Sequence, residues 1–248
     1  MDLLVTLRML TLLGRLILVA AVFRAMPRRS EGGAPPERLV WLTLAGQYTL
    51  IAVTTLTVEA FWLVKSIEPE SPLVPVGRAV YSPTYLFNAT ISALVPFLVT
   101  AWLAPAAVGR RLAQVGAFGV VVVAMMALIT GAALDWAVLM SWTQVLAFIE
   151  IGCYLALGSL ILLGHVRRVN PYLMGLLAAS GLFAMLIPIQ AEFFELVGRG
   201  NVRQIWHINQ ALQLVKVAVE LSIVLAYINS TAPKKGASLV VQEIGLGR

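Results

Sequence analysis

Asn209, Gln213, Lys216 and Glu220 recur at steps of four, three and four residues. On a helix that spacing lays all four along one face. Lys216 is the only lysine inside any of the chain's long apolar stretches. Glu220 follows it by one turn, within reach of an intrahelical ion pair. Ionisable groups at membrane depth are expensive and turn toward a bundle interior or a wet cavity, so this stripe is where chemistry is expected.

Other apolar stretches carry matching groups. Tyr48, Thr55 and Glu59 share a face, as do Thr143, Glu150 and Tyr154. Asn88, Ser92, Pro96 and Thr100 repeat every four residues, and Arg8 and Arg15 lie seven apart on one face. Pro188 is expected to kink its helix just below Gln190, Glu192 and Glu195. Two bases, Arg15 and Lys216, and three acids, Glu59, Glu150 and Glu220, fall at overlapping depths. They predict a buried, roughly neutral network opening outward, its cavity lined by Glu59, Glu150, Gln190, Gln213 and Lys216. Arg15 is expected to find an acidic or carbonyl partner, with Glu150 and Glu220 first by depth.

Interhelical glue is the competing account of these groups. A hydrogen bond between membrane helices contributes only about 0.6 kcal/mol on average. Inserting each charged group costs at least about 2.5–3.5 kcal/mol, which is more than packing needs.

Several chemistries lack their residues. Cys153 has no second cysteine to pair with and reads as a small buried apolar residue. His165 and His207 lie near opposite ends of their stretches, at the wrong depths for bis-histidine haem, and are too few for a four-ligand zinc site. No metal site is expected and no cofactor is assigned. Glu192, Glu195, Arg199 and His207 have residue types suited to acid–base work, but sit where headgroup-level charges belong. HExxH, twin aspartates and paired Ser/His are absent from the sequence. Asn88-Ala89-Thr90 matches a glycosylation sequon inside an apolar stretch, a chance match.

The elements that position these groups follow from composition. The 248 residues are 60% hydrophobic and 12% charged, against about 25% charged in soluble domains. A membrane helix needs roughly 20 apolar residues, and seven such stretches occur: 3–23, 39–64, 85–107, 112–134, 140–165, 172–197 and 204–228. Lipid offers no partner to an open sheet edge. The expected fold is therefore an all-α, seven-helix transmembrane bundle, one domain over 1–248, with a short tail at 229–248. No internal repeat is visible.

Charge sets the expected orientation. Arg24, Arg28, Arg29, Arg38, Arg110, Arg111, Arg167, Arg168, Lys234, Lys235 and Arg248 make eleven of eighteen basic residues on alternate connections. The other side holds Lys65, Arg78, Arg199 and Arg203, diluted by Asp2, Glu68, Glu70 and Asp135. The positive-inside rule then puts the N-terminus outside and the tail in the cytoplasm. The net charge of +6 reads as contact with anionic headgroups, not nucleic acid. The first stretch is the exception in character. Its two arginines leave open an amphipathic helix lying at the interface, whereas a signal peptide fits poorly, because Asp2 occupies the basic n-region and no small-residue cleavage site follows.

The connections add two expectations. Residues 30–36 read as a flexible turn, and 66–83, with Pro69, Pro72, Pro75 and Pro83, as the longest loop, an ordered lid over the helix ends.

The leading reading is a non-enzymatic, multi-pass protein of a bacterial inner or plasma membrane. It binds a ligand or a partner as a sensor or subunit, alongside another membrane protein or a second copy of itself. A small-solute or proton-coupled transporter is the alternative, with Glu59, Glu150 and Glu220 as its carboxylate path, although matched Gly/Pro-broken helix pairs are missing. An intramembrane enzyme and a retinal photoreceptor rank below. In length, seven spans, outside N-terminus and a mid-membrane lysine in the last helix, the chain resembles the microbial rhodopsins. It departs from them at their specific positions. The third stretch offers Asn88, Ser92 and Thr100 in place of that family's arginine and carboxylate counter-ions, no Asp precedes Lys216 by a turn, and the sixth lacks the Trp and Tyr that sandwich retinal.

Overall fold

The computed structural model describes residues 3–27, 35–67, 70, 73–104, 107–132, 135–164, 170–197 and 202–231. All seven expected helices form: α1 Leu3–Ala25, α2 Pro35–Ile67, α3 Leu73–Leu103, α4 Ala107–Ile129, α5 Trp136–Leu162, α6 Pro171–Val197 and α7 Val202–Thr231. Six are long and apolar enough to cross a membrane. The seventh, α6, has 27 residues, with an apolar run at Pro171–Leu186. The chain is a helical membrane bundle, and no strand occurs among the described residues.

Several boundaries move for local reasons. The connection at 66–83 is not a long proline-stiffened loop: α2 runs to Ile67 and α3 begins at Leu73. Pro75 falls in the first turn of α3, where its missing N–H has no helical partner to lose, while Pro83 and Pro96 lie inside the helix. Pro35 and Pro36 likewise open α2 and do not belong to the preceding turn. Helix α4 ends at Ile129, earlier than its apolar run, because Gly131 adopts a φ of 91°. The Gly131 amide donates to the Leu128 carbonyl and the Ala132 amide to the Ala127 carbonyl, a Schellman closure. Gly164, at φ 71°, follows the end of α5. At the start of α6, Asn170 accepts from the Tyr172 amide at 2.9 Å while Pro171 takes the first helical position.

The helices close into a ring. Packing runs α1–α2–α3–α5–α6–α7 and back from α7 to α1, which places α1 opposite α5. Helix α4 lies outside this ring, against α3 and α5. Leu112, Val115, Phe118, Met125 and Ile129 of α4 are exposed, a surface suited to lipid tails. Helices α1 and α2 run antiparallel, Arg8 and Arg15 meeting Glu59 and Thr55, whereas the ring neighbours α1 and α7 run in the same direction, their C-terminal parts meeting the start of α2, where Trp41 stacks on Tyr227 with ring centroids 5.2 Å apart.

This packing resolves the character of α1. An interfacial helix keeps its charges in water. Here the arginine face is turned toward α2 and α7, and Leu3, Met9, Leu10, Leu13 and Leu16 are exposed outside. At about 1.5 Å per residue, its 23 residues reach across a hydrocarbon core of about 30 Å.

Apolar packing is denser toward one end. Leu18, Val22, Val40, Trp41, Leu44, Val99, Leu103, Leu173, Leu176 and Val224 form a plug where α1 ends and α2 begins. Arg24, Arg38, Arg110 and Arg111 belong to that same end, called the basic end below. A second cluster, including Leu86, Ala93, Val120, Ala127, Leu139 and Leu146, joins α4 to α3 and α5.

Candidate functional site

A cavity of about 190 Å³ lies on the ring axis, just above the apolar plug. Every ring helix lines it: Arg15 and Leu18 from α1, Tyr48 and Ile51 from α2, Asn88 and Ser92 from α3, Ala147 and Glu150 from α5, Ala184 from α6, and Gln213, Lys216, Val217 and Glu220 from α7. Helix α4 contributes nothing to it. Alanines on α5 and α6 leave the space that larger side chains would fill.

The floor is an ordered hydrogen-bond chain. Ser180 Oγ donates to Glu220 Oε1 at 2.8 Å, and Glu220 is only 1% exposed. A hydroxyl has one proton, so with Ser180's directed at Glu220, the Tyr48 phenol donates to Ser180 Oγ across 3.4 Å. Helices α2, α6 and α7 are thereby tied at one level. Lys216 Nζ lies 4.0 Å from Glu220 Oε1, at the outer limit of a direct ion pair.

Arg15 forms the next level. Its guanidinium donates to Gln213 Oε1 at 2.8 Å and to Thr55 Oγ1, whose own hydroxyl proton goes to the Ile51 carbonyl at 2.7 Å. These partners correct the expectation that Arg15 pairs with Glu150 or Glu220. The reason is register. Gly14 brings α1 so close to α7 that a Cβ there would stand 2.8 Å from Val217 Cγ1. Arg15 consequently arrives beside the amide one turn above Lys216.

Glu59 is a second correction. It does not line the cavity. Arg8, two turns from Arg15, grips its carboxylate with both ends of the guanidinium fork, Nε to Oε1 at 3.0 Å and Nη2 to Oε2 at 2.8 Å. Trp62 lies beside this pair, its ring centroid 5.8 Å from the Arg8 guanidinium carbon and 4.9 Å from Lys65 Nζ. The pair and its aromatic neighbour mark the end of the bundle farther from the plug.

Of the eight residues expected to form the site, the structure brings Arg15, Glu150, Gln213, Lys216 and Glu220 to one cavity. Asn209 lies one turn from Gln213, and its Oδ1 is buried without a hydrogen-bond partner among the described residues. Glu59 stands apart. The side chain of Gln190 lies outside the described residues, as do those of Pro188, Glu192, Glu195 and Arg199. Ser180 and Arg8 were not foreseen in these roles. Ser180 sits in the run Ala178-Ala179-Ser180-Gly181, where a small polar residue reads as packing. Arg8 was visible on the Arg15 face, but nothing in its spacing pointed to Glu59.

Among the described residues no three His, Cys, Asp or Glu side chains converge as metal ligands do. Glu150 accepts no hydrogen bond among them, and neither does Asn88 Oδ1, which is buried in the cavity wall. No protein family, curated protein or solved structure matches this chain.

Proposed function

We propose that this chain is a non-enzymatic, multi-pass membrane protein that binds a small polar ligand in its axial cavity and acts as a sensor or as a subunit of a larger membrane complex. One observation carries the reading. Arg15 and Glu150 line a single cavity, yet the arginine is bonded to neutral groups and the carboxylate to none among the described residues. Glue closes such groups on each other, whereas a binding site leaves polar groups turned toward the space a ligand fills. The partner is a separate membrane protein or a second copy of the chain, and the surrounding medium is lipid.

The ligand and the partner are read together by purifying the full chain in mild detergent and analysing both co-purified proteins and extracted small molecules by mass spectrometry. A stoichiometric small molecule supports binding, and a stoichiometric protein supports the subunit role. Neither at stoichiometric amount would contradict the proposal.

Transport of a small solute or of protons is the second reading. Ionisable groups at successive levels favour it, from Arg8–Glu59 through Arg15 and Glu150 to Lys216–Glu220. Against it stands the apolar plug from Leu18 to Val224, which fills the ring below Glu220. Substrate-dependent flux in proteoliposomes would decide for transport.

A further inference from the structure

Four ionisable groups line the cavity, and they divide into a close pair and a separated one. Lys216 and Glu220 belong to one helix, one turn apart, and lie within 4.0 Å. Glu220 is additionally held by Ser180. Arg15 and Glu150 have no such relation. They stand on α1 and α5, opposite members of the six-helix ring, with the cavity between them. A guanidinium has five N–H donors in a fixed fork, and the two bonds from Arg15 Nη1 and Nη2 leave the others unassigned. Glu150 keeps its acceptor positions open among the described residues.

Opposite charges held apart across a low-dielectric space attract the complementary charges of anything that enters. From this we infer that the cavity takes a small zwitterion carrying a carboxylate and a primary ammonium, a compact amino acid by chemical class, with its carboxylate on Arg15 and its ammonium on Glu150. Asn88 Oδ1, buried in the wall without a partner, offers the ammonium a second acceptor. Size agrees with this class. At about 30 Å³ per water-sized group, a cavity of about 190 Å³ holds on the order of six non-hydrogen atoms. An anion alone would leave Glu150 with only the field of Lys216 and a cation alone would leave Arg15 with only those of Glu220 and Glu59, while a neutral molecule would add a counter-charge to neither. The inference rests on the proposed binding function and adds the ligand's chemistry to it.

Thermal unfolding of the full chain in lipid nanodiscs tests it, with glycine, β-alanine and 4-aminobutyrate as zwitterionic probes. Propionate, propylamine and propionamide serve as single-charge and neutral controls. At least one amino acid should raise the melting temperature with a saturable dose dependence, at concentrations at least about tenfold below those the single-charge probes need, since one charge-assisted hydrogen bond contributes that much. The chain length that binds most tightly measures the gap from Arg15 to Glu150. Glu150→Gln loses no protein hydrogen bond and should fold, with amino acid affinity reduced to that of propionate. Arg15→Lys should weaken the amino acids and propionate together. Propionate binding as tightly as the amino acids, with Glu150→Gln without effect, would overturn the inference in favour of a plain anion site. Binding of propionamide alone, or of no probe, would also overturn it. The broader binding function stands or falls separately, on whether a small molecule co-purifies.

Discussion

Ser180 and Glu220, 40 residues apart, meet at 2.8 Å and join α6 to α7 beneath the cavity. With Tyr48 donating to Ser180, they fix a carboxylate that is almost wholly withdrawn from its surroundings. Among the described residues Lys216 is the cation within ion-pair distance of it, at 4.0 Å. This gives the first prediction. Lys216→Met should destabilise the bundle by about 3–5 kcal/mol, because it strands a buried carboxylate. Adding Glu220→Gln should recover most of that loss, since the amide is neutral and still accepts from Ser180. Reversible unfolding in detergent mixtures measures both. Equal stability of Lys216→Met and the parent would show that the ammonium reaches water or lipid and neutralises nothing.

At Arg15, the structure predicts dependence on an amide and not on an acid. Gln213→Leu removes the acceptor held at 2.8 Å and leaves guanidinium donors buried, which should cost about 1–3 kcal/mol. Gln213→Glu should be tolerated or stabilising, because it places a carboxylate on the same donors. The same unfolding assay reports both, and a stable Gln213→Leu variant would show that Arg15 is held elsewhere.

The α1–α7 seam should be intolerant of bulk. A side chain at Gly14 meets Val217 Cγ1 at its first atom, and valine cannot rotate away freely. Gly14→Leu should cost about 1–3 kcal/mol as overpacking and should loosen Arg15 from Gln213. A second change, Val217→Ala, should restore part of the stability. If Gly14→Leu folds as well as the parent, α1 does not lie against α7 in the membrane.

Much of this fold was legible in the sequence, because membrane helices announce themselves by length and composition. The faces were legible too. The stripe from Asn209 to Glu220 delivers three of its four residues to the cavity, and the face carrying Tyr48, Thr55 and Glu59 makes three successive interhelical contacts. The pairing was not legible. Depth alone offered Arg15 two carboxylates, while the contact that decides its partner comes from Gly14, a residue with no polar signal. Glu59 was assigned to the cavity for the same reason: periodicity gives the face, but not which neighbour's guanidinium arrives there. Helix ends were displaced where Gly131 and Pro75 acted locally against the hydropathy profile.

Orientation rests on the arginine clusters and is open to a direct check. With Cys153 replaced by alanine, a single cysteine at Ser71 or Gly200 should react with an impermeant maleimide added to intact cells. One at Gly32 or Gly236 should react only after permeabilisation. The opposite pattern would invert the bundle and turn the Arg8–Glu59 end toward the cytoplasm.

Occupancy of the axial cavity by a ligand is read by native mass spectrometry of the full chain released from lipid nanodiscs. Ala184 lines the cavity, so Ala184→Leu should fill it without altering any charged group. A discrete small-molecule adduct, one per chain, is expected on the parent protein, and none on an Ala184→Leu variant that still melts cooperatively. A bare parent mass, or the same adduct on both proteins, would contradict that occupancy.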